Sequence, residues 1–168
     1  TQSTYTLSQD DVGKKITVKA SYTDNAGTSE SVTSIATSSV TNVNDSPTGN
    51  VIITGTPTQN QTLTANNTLA DLDGLGTISY QWLSNGKEIS NAIQPTYKLT
   101  QSDVSNVISV KASYTDGFGS KESVTSSSTT KIGNVNDIPT GNVSISGLAA
   151  QGQTLTIANT LADLDGLG

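Results

Sequence analysis

The chain of 168 residues contains no cysteine, no methionine, no histidine and, because its 8 basic residues are all lysine, no arginine. Each absence removes a class of chemistry. Without cysteine there is no disulfide to stabilise a small core, although this alone assigns no compartment. Without histidine and cysteine, zinc, copper and iron lose their preferred ligands. The same gap leaves only carboxylates for nucleophilic or acid–base catalysis, so an enzyme is not expected. No arginine and a formal net charge of −6 argue against a nucleic-acid partner. Aromatic residues are few, with 1 Trp, 1 Phe and 5 Tyr. No apolar run approaches the ~20 residues needed to cross a bilayer, and no secretory leader pattern is visible.

Serine and threonine make up roughly 30% of the chain, and the hydrophobic share is 32%. The leucine, isoleucine and valine residues are sparse but regularly spaced. This favours a thin-cored β protein over disorder.

The chain repeats itself. Aligning residue 1 with residue 93 places "ITVKASYTD" (16–24) on "ISVKASYTD" (108–116), "ESVTS" (30–34) on "ESVTS" (122–126), and "TLADLDGLG" (68–76) on an identical run at 160–168. The overlap of 76 positions has no gap and 48 identities. A tandem array with a period of 92 residues is therefore expected. On this reading, residues 1–45 are strands E, F and G of a first repeat with its linker. Residues 46–137 are one complete repeat with its linker, and residues 138–168 are strands A and B of a third.

Alternation of period two marks the strands. Ile16, Val18, Ala20 and Tyr22 share one face, as do Ile108, Val110, Ala112 and Tyr114. In the complete repeat, strands are expected near 51–54, 61–69, 78–83, 87–89, 96–99, 107–115 and 122–132. Asn85-Gly86 is expected at a hairpin turn. Short strands at this spacing predict an all-β fold, an antiparallel sandwich of two sheets. Trp82, Tyr80, Tyr97 and Tyr114 are expected in its core, and Asp103 at a turn. Trp82, followed by "TYKL" and "SDV", resembles the immunoglobulin-like pattern. The first copy carries Asp11-x-Gly13 where the second has Ser105, so the second turn is expected to be strained or rebuilt.

The acidic residues are clustered. Of 14, ten fall in the linkers (Asp45, Asp137), the "DLDG" loops (Asp71, Asp73, Asp163, Asp165) and the "YTD…ES" regions (Asp24, Glu30, Asp116, Glu122). Like charges held at 4 Å cost roughly 1 kcal/mol per pair even in water unless a cation offsets them. In a seven-stranded sandwich the B–C and F–G loops share one end with the incoming linker. This brings Asn42, Asn44 and Asp45 toward Asp71, Asp73 and Asp116, with Glu122 as a weaker candidate. Such a set of hard oxygens suits calcium. The second joint offers Asn134, Asn136, Asp137, Asp163 and Asp165. "DLDGLG" is not an EF-hand loop, because its twelfth position is Trp82 where a glutamate is required. Taken singly, each Asp or Asn also suits a turn.

"NVNDSP" (42–47) and "LADLDG" (69–74) followed by "ISYQW" (78–82) resemble cadherin repeats. The whole unit resembles the cadherin-like or immunoglobulin-like tandem repeats of giant bacterial surface adhesins of the RTX and biofilm-associated type. The resemblance implies calcium-stiffened joints in a long extracellular stalk at the bacterial surface. By match of motif it assigns linker ligands to Asn44 and Asp45, the Asp-x-Asp pair to Asp71 and Asp73, and the strand-F aspartate to Asp116. Asn42 departs from the pattern by replacing an acid, which implies fewer or weaker ions.

The expected partners are neighbouring repeats of the same chain, with glycan or matrix reached through other domains. Pro47 and Pro139 already restrict the preceding residues to extended backbone. A carbohydrate-binding module is the alternative. It would need exposed aromatics, and Phe118 is the one clearly placed in a loop.

Overall fold

The computed structural model describes residues 3–168; the first two positions of the 1–45 segment lie outside the described residues. Its regular structure is almost entirely antiparallel strand. The strands are β1 (Lys19–Thr23), β2 (Ser29–Thr33), β3 (Val51–Thr54), β4 (Thr62–Asn67), β5 (Ser79–Ser84), β6 (Lys87–Glu88), β7 (Thr96–Lys98), β8 (Ile108–Thr115), β9 (Lys121–Thr125), β10 (Val143–Ser146) and β11 (Thr156–Asn159). Two single-turn 3-10 helices, Gln9–Asp11 and Gln101–Asp103, are the only helical pieces among the described residues. Among the described residues no helix is long and apolar enough to cross a membrane.

Among the described residues four sheets form: β1-β2, β10-β11, β3-β4-β7 and β6-β5-β8-β9. The last two belong to residues 46–137 and give them a sandwich-like, two-sheet architecture. β3 pairs with β4 from Val51↔Asn67 to Thr54↔Thr64. β4 pairs with β7 from Thr62↔Lys98 to Thr64↔Thr96. The hairpin β5-β6 closes through Asn85 (φ 47) and Gly86 (φ 79). Two successive left-handed residues are what a tight two-residue turn between right-twisted strands requires.

Strands end where partners end. The strand expected over 122–132 stops at Thr125. Beyond it the backbone keeps only spaced bonds, Ser126 N to Val110 O (2.9 Å), Thr129 N to Ile108 O (2.8 Å) and Ile132 N to Asn106 O (2.9 Å). Between them the hydroxyls of Ser126 and Thr129 take amides of the neighbouring strand, Val110 N and Ile108 N. Side-chain oxygens thus replace ladder carbonyls in the Ser/Thr run. In the first segment no strand forms over residues 4–7. Residues 96–98, which align with 4–6 in sequence, form β7 and are held by β4.

Tertiary contacts divide the chain into two compact units. The first is Thr1–Gly49 with Thr68–Ile78 and Ser113–Ser123; the second is Asn50–Asn67, Ser79–Ala112 and Val124–Gly168. The cut does not follow the 92-residue sequence period. Among the described residues the first unit joins residues 3–49 to the β4–β5 and β8–β9 loops.

The core of the second unit holds Leu63, Trp82, Leu99, Ile108 and Val110, all fully buried. Trp82 donates its indole N–H to Gln94 O at 2.9 Å and stacks on Tyr97 with centroids 5.7 Å apart. Tyr97 and Tyr80 are half-buried, and Tyr114 in the first unit is buried. Each indole or phenol that enters the interior keeps a partner for its polar atom, as burial demands.

Candidate functional site at the repeat joints

The joint geometry starts in a single-turn helix. In Gln9–Asp11 the Asp11 carboxylate turns back and accepts from Ser8 N (2.9 Å), Ser8 Oγ (3.2 Å) and Tyr5 Oη (3.0 Å). In Gln101–Asp103, Asp103 accepts from Thr100 N, Thr100 Oγ1 and Tyr97 Oη, all at 2.9 Å. Asp103 is therefore the turn residue expected, and Asp11 is its copy. The Ser8 amide, then the Tyr5 hydroxyl, hold the Asp11 carboxyl below its ordinary range. Ser105, at φ 66, keeps the left-handed turn that Gly13 makes at φ 78. The turn is conserved in shape, and the side chain carries the strain.

The residue after each turn pairs with the stretch that leads into the linker. Val12 bridges Val40, and Val104 bridges Ile132. Past the linker, Thr48 bridges Ala70 and Thr140 bridges Ala162. The "NVND" segments are thus pinned at both ends, in the same way twice.

Between those pins the first joint brings the expected segments together. Asp71 Oδ1 accepts from Asp73 N at 2.8 Å, an Asx turn that shapes the "DLDG" loop. Asp73, 4% exposed, accepts from Asp45 N at 2.7 Å on one oxygen and from Gln9 Nε2 at 2.8 Å on the other. Gln9 Nε2 also reaches Asn42 Oδ1 at 3.3 Å. Asn44 donates to Glu122 Oε1 at 2.8 Å. Tyr114 Oη donates to Asp71 Oδ2 at 2.5 Å, and burial, then this contact, raises the tyrosine pKa. Gly117 N donates to Asp73 O at 3.0 Å. A side chain at Gly76 would put its Cβ 2.0 Å from Thr115 O, so the two loops meet at backbone distance.

Asp116 closes this end. Its Oδ1 accepts from Phe118 N (2.9 Å) and Ser120 N (2.8 Å), while its Oδ2 is buried without a hydrogen-bond partner. Desolvation pushes the Asp116 carboxyl up; the Ser120 and Phe118 amides outweigh it and hold it below the ordinary range.

The second joint repeats the pattern with its own residues. Asp163 Oδ1 accepts from Asp165 N at 2.9 Å, and Asp165 Oδ2 accepts from Asp137 N at 2.9 Å. Gln101 Nε2 donates to Asp165 Oδ1 at 3.2 Å and to Leu164 O at 3.1 Å. The Asp137 amide, the Asn134 side chain and Gln101 hold Asp165 below the ordinary range. Asn136 turns its amide onto Asp137 O at 3.0 Å, as Asn44 does onto Asp45 O at 3.2 Å. Gln59, 3% exposed, spans the linker: its Nε2 donates to Asp137 Oδ2 at 2.9 Å and its Oε1 accepts from Val135 N at 3.0 Å.

Asn42, Asp45, Asp71 and Asp73 are therefore knit together, and Asn136 and Asp137 stand with Asp163 and Asp165. As they stand, the carboxylates of Asp71, Asp73, Asp137, Asp163 and Asp165 each accept from at least one protein donor. Among the described residues no three acidic side chains form a group placed to hold a metal ion. The residues that reading for acids overlooked are Gln9, Gln59 and Gln101. Their signal was identity across the repeat, Gln9 with Gln101 and Gln59 with Gln151. Comparison with known protein families, curated proteins and solved structures finds no match to this chain.

Proposed function

We propose that the chain belongs to a tandem array of immunoglobulin-like or cadherin-like sandwich repeats, the stalk of a long extracellular bacterial adhesin, with calcium stiffening the joints. One observation carries the calcium part. Among the described residues, the buried side-chain atoms without a hydrogen-bond partner are Asp116 Oδ2 and Gln101 Oε1. Both are oxygens, and each lies at a joint. A buried acceptor left unpaired costs about 1–3 kcal/mol, and a cation removes that cost.

The donor chemistry suits a hard ion. Asn42, Asn44, Asp45, Asp71, Asp73 and Asp116 would serve the first joint; Asn134, Asn136, Asp137, Asp163 and Asp165 the second. Calcium would supply six to eight bonds to oxygen and neutralise the clustered charge. The pinned linkers, the Asx turns and the contact of the Asp45 amide with Asp73 support this reading. The role is mechanical, with no catalytic step, and its partners are adjoining repeats.

Calorimetric titration of calcium into the chain, beside an Asp71→Ala/Asp73→Ala variant, tests the proposal. Uptake in the weak extracellular range, ~10⁻⁴–10⁻³ M, that the variant lacks is the expected result. A flat trace from the unaltered chain ends the calcium reading. The lectin-like alternative draws on Phe118, 55% exposed in the β8–β9 loop; binding on a glycan array would favour it.

A further inference from the structure

We propose that Gln9 and Gln101 form a metal-independent latch, by which the 3-10 turn of one repeat recognises the "DLDG" loop of the next. The inference stands on hydrogen bonds between protein groups and does not need calcium.

The same donor meets the same acceptor twice. Gln9 and Asp73 are separated by 64 residues, as are Gln101 and Asp165. The contacts measure 2.8 Å and 3.2 Å. In both joints the other oxygen of that aspartate takes the linker amide, Asp45 N or Asp137 N. The second aspartate of each loop is thus clamped between the linker and the preceding turn. The surroundings differ, since Asp73 is buried and Asp165 is exposed. Burial therefore does not dictate the contact; the local geometry does.

The glutamine is also held ready. It occupies the first position of a turn whose third residue, Asp11 or Asp103, is fastened by three donors of its own. A carboxylate at this position would repel Asp73, whereas an amide N–H₂ donates to it. A neutral donor on an ionised acceptor is a charge-assisted bond, roughly twice as strong as a neutral one. The ligand of this surface is a second copy of the repeat.

The test is amide hydrogen exchange of the full chain in a chelator, comparing the parent with Gln9→Glu/Gln101→Glu and with Gln9→Ala/Gln101→Ala. The readouts are the Asp45 and Asp137 amides; the core amide of Val110 reports whether the fold survives. Exchange at the two linker amides about tenfold faster, with Val110 unchanged, is expected for loss of one charge-assisted bond. The Glu variant should exceed the Ala variant. Parent-like exchange at both linker amides in both variants overturns the latch. Calcium titration is a separate measurement: a flat trace ends the calcium reading and leaves the latch, while parent-like exchange in chelator ends the latch and leaves calcium.

Discussion

The main-chain amide of Asp45 lies 2.7 Å from Oδ2 of Asp73, across 28 residues of chain. The amide of Asp137 stands in the same relation to Asp165 at 2.9 Å. One aspartate in each "DLDG" loop thus receives the linker. Removing it leaves the Asp45 amide without its acceptor and Gln9 with only its longer contact to Asn42 Oδ1, at 3.3 Å. Asp73→Ala is expected to lower stability by about 1–3 kcal/mol, the cost of unpaired buried donors. Urea unfolding of the parent and variant checks this, and an unchanged midpoint refutes it.

Ser105 occupies a left-handed conformation that the first copy gives to Gly13. A side chain in that region costs about 1–2 kcal/mol, offset in part by the greater entropy that glycine loses on folding. Ser105→Gly is expected to stabilise the chain by about 0.5–1 kcal/mol. In the reciprocal change, Gly13→Ser, the added Cβ meets no atom within 4 Å, so backbone strain is the main effect. It should destabilise by a similar amount, read as opposite shifts in thermal midpoint.

At Gly76 the obstacle is the carbonyl of Thr115, which an added Cβ would meet at 2.0 Å. Gly76→Ala must push the β4–β5 and β8–β9 loops apart. A loss of about 1–3 kcal/mol, as for overpacking elsewhere, is expected. The Tyr114–Asp71 contact should weaken with it, visible as a shifted tyrosine titration.

Acid and alkali act on different residues. Asp11, Asp116 and Asp165 titrate below the ordinary carboxylate range in the folded chain. The unfolded chain binds these protons more readily. Their contribution is therefore complete above the unfolded value, about pH 4, and is lost as pH falls through the depressed folded values. For tyrosine the window lies at the other end. Burial, then the contact with Asp103, pushes Tyr97 up to about 12. Its stabilisation is present below about pH 10 and fades as pH rises toward 12. Denaturation midpoints should form a plateau between these limits, and the acid limb should shrink in Asp11→Asn. A midpoint that falls steadily through neutral pH would contradict these assignments.

Trp82 tests the core. It is fully buried, donates to Gln94 O and stacks on Tyr97. Trp82→Ala is expected to cost about 3–5 kcal/mol, enough to unfold residues 46–137 under mild heating, as followed by loss of near-UV dichroism.

Much of this was legible in the residues. Alternation in "ISVKASYT" placed Ile108, Val110, Ala112 and Tyr114 on one buried face, and β8 bears this out. Asn85-Gly86 marked its hairpin. The ends of strands were harder, because a strand needs a partner as well as a pattern. The stretch 126–132 kept the composition of a strand but handed its ladder bonds to hydroxyls. The first segment makes the point most directly. Val18 and Val110 lie in nearly the same sequence, yet one is 68% exposed and the other fully buried. Likewise Leu155 is 48% exposed where its counterpart Leu63 is fully buried. Burial belongs to the facing sheet, which a local pattern cannot supply.

At the joints, reading for charge located the aspartates and offered their oxygens to an ion or to turns, but did not find their protein donors. Gln9, Gln59 and Gln101 looked ordinary because an uncharged amide has no composition signature. What the amino-acid order determined by itself was the period, the strand faces, the turns and the clustering of Asn and Asp. Those properties are local, set by backbone dihedrals and by the two-residue alternation of side chains. What only the tertiary structure decided was the partner of each oxygen: Asp45 N and Gln9 on Asp73, Tyr114 on Asp71, and none for Asp116 Oδ2. Hydrogen bonding depends on distances of about 3 Å between atoms dozens of residues apart, and folding alone sets them.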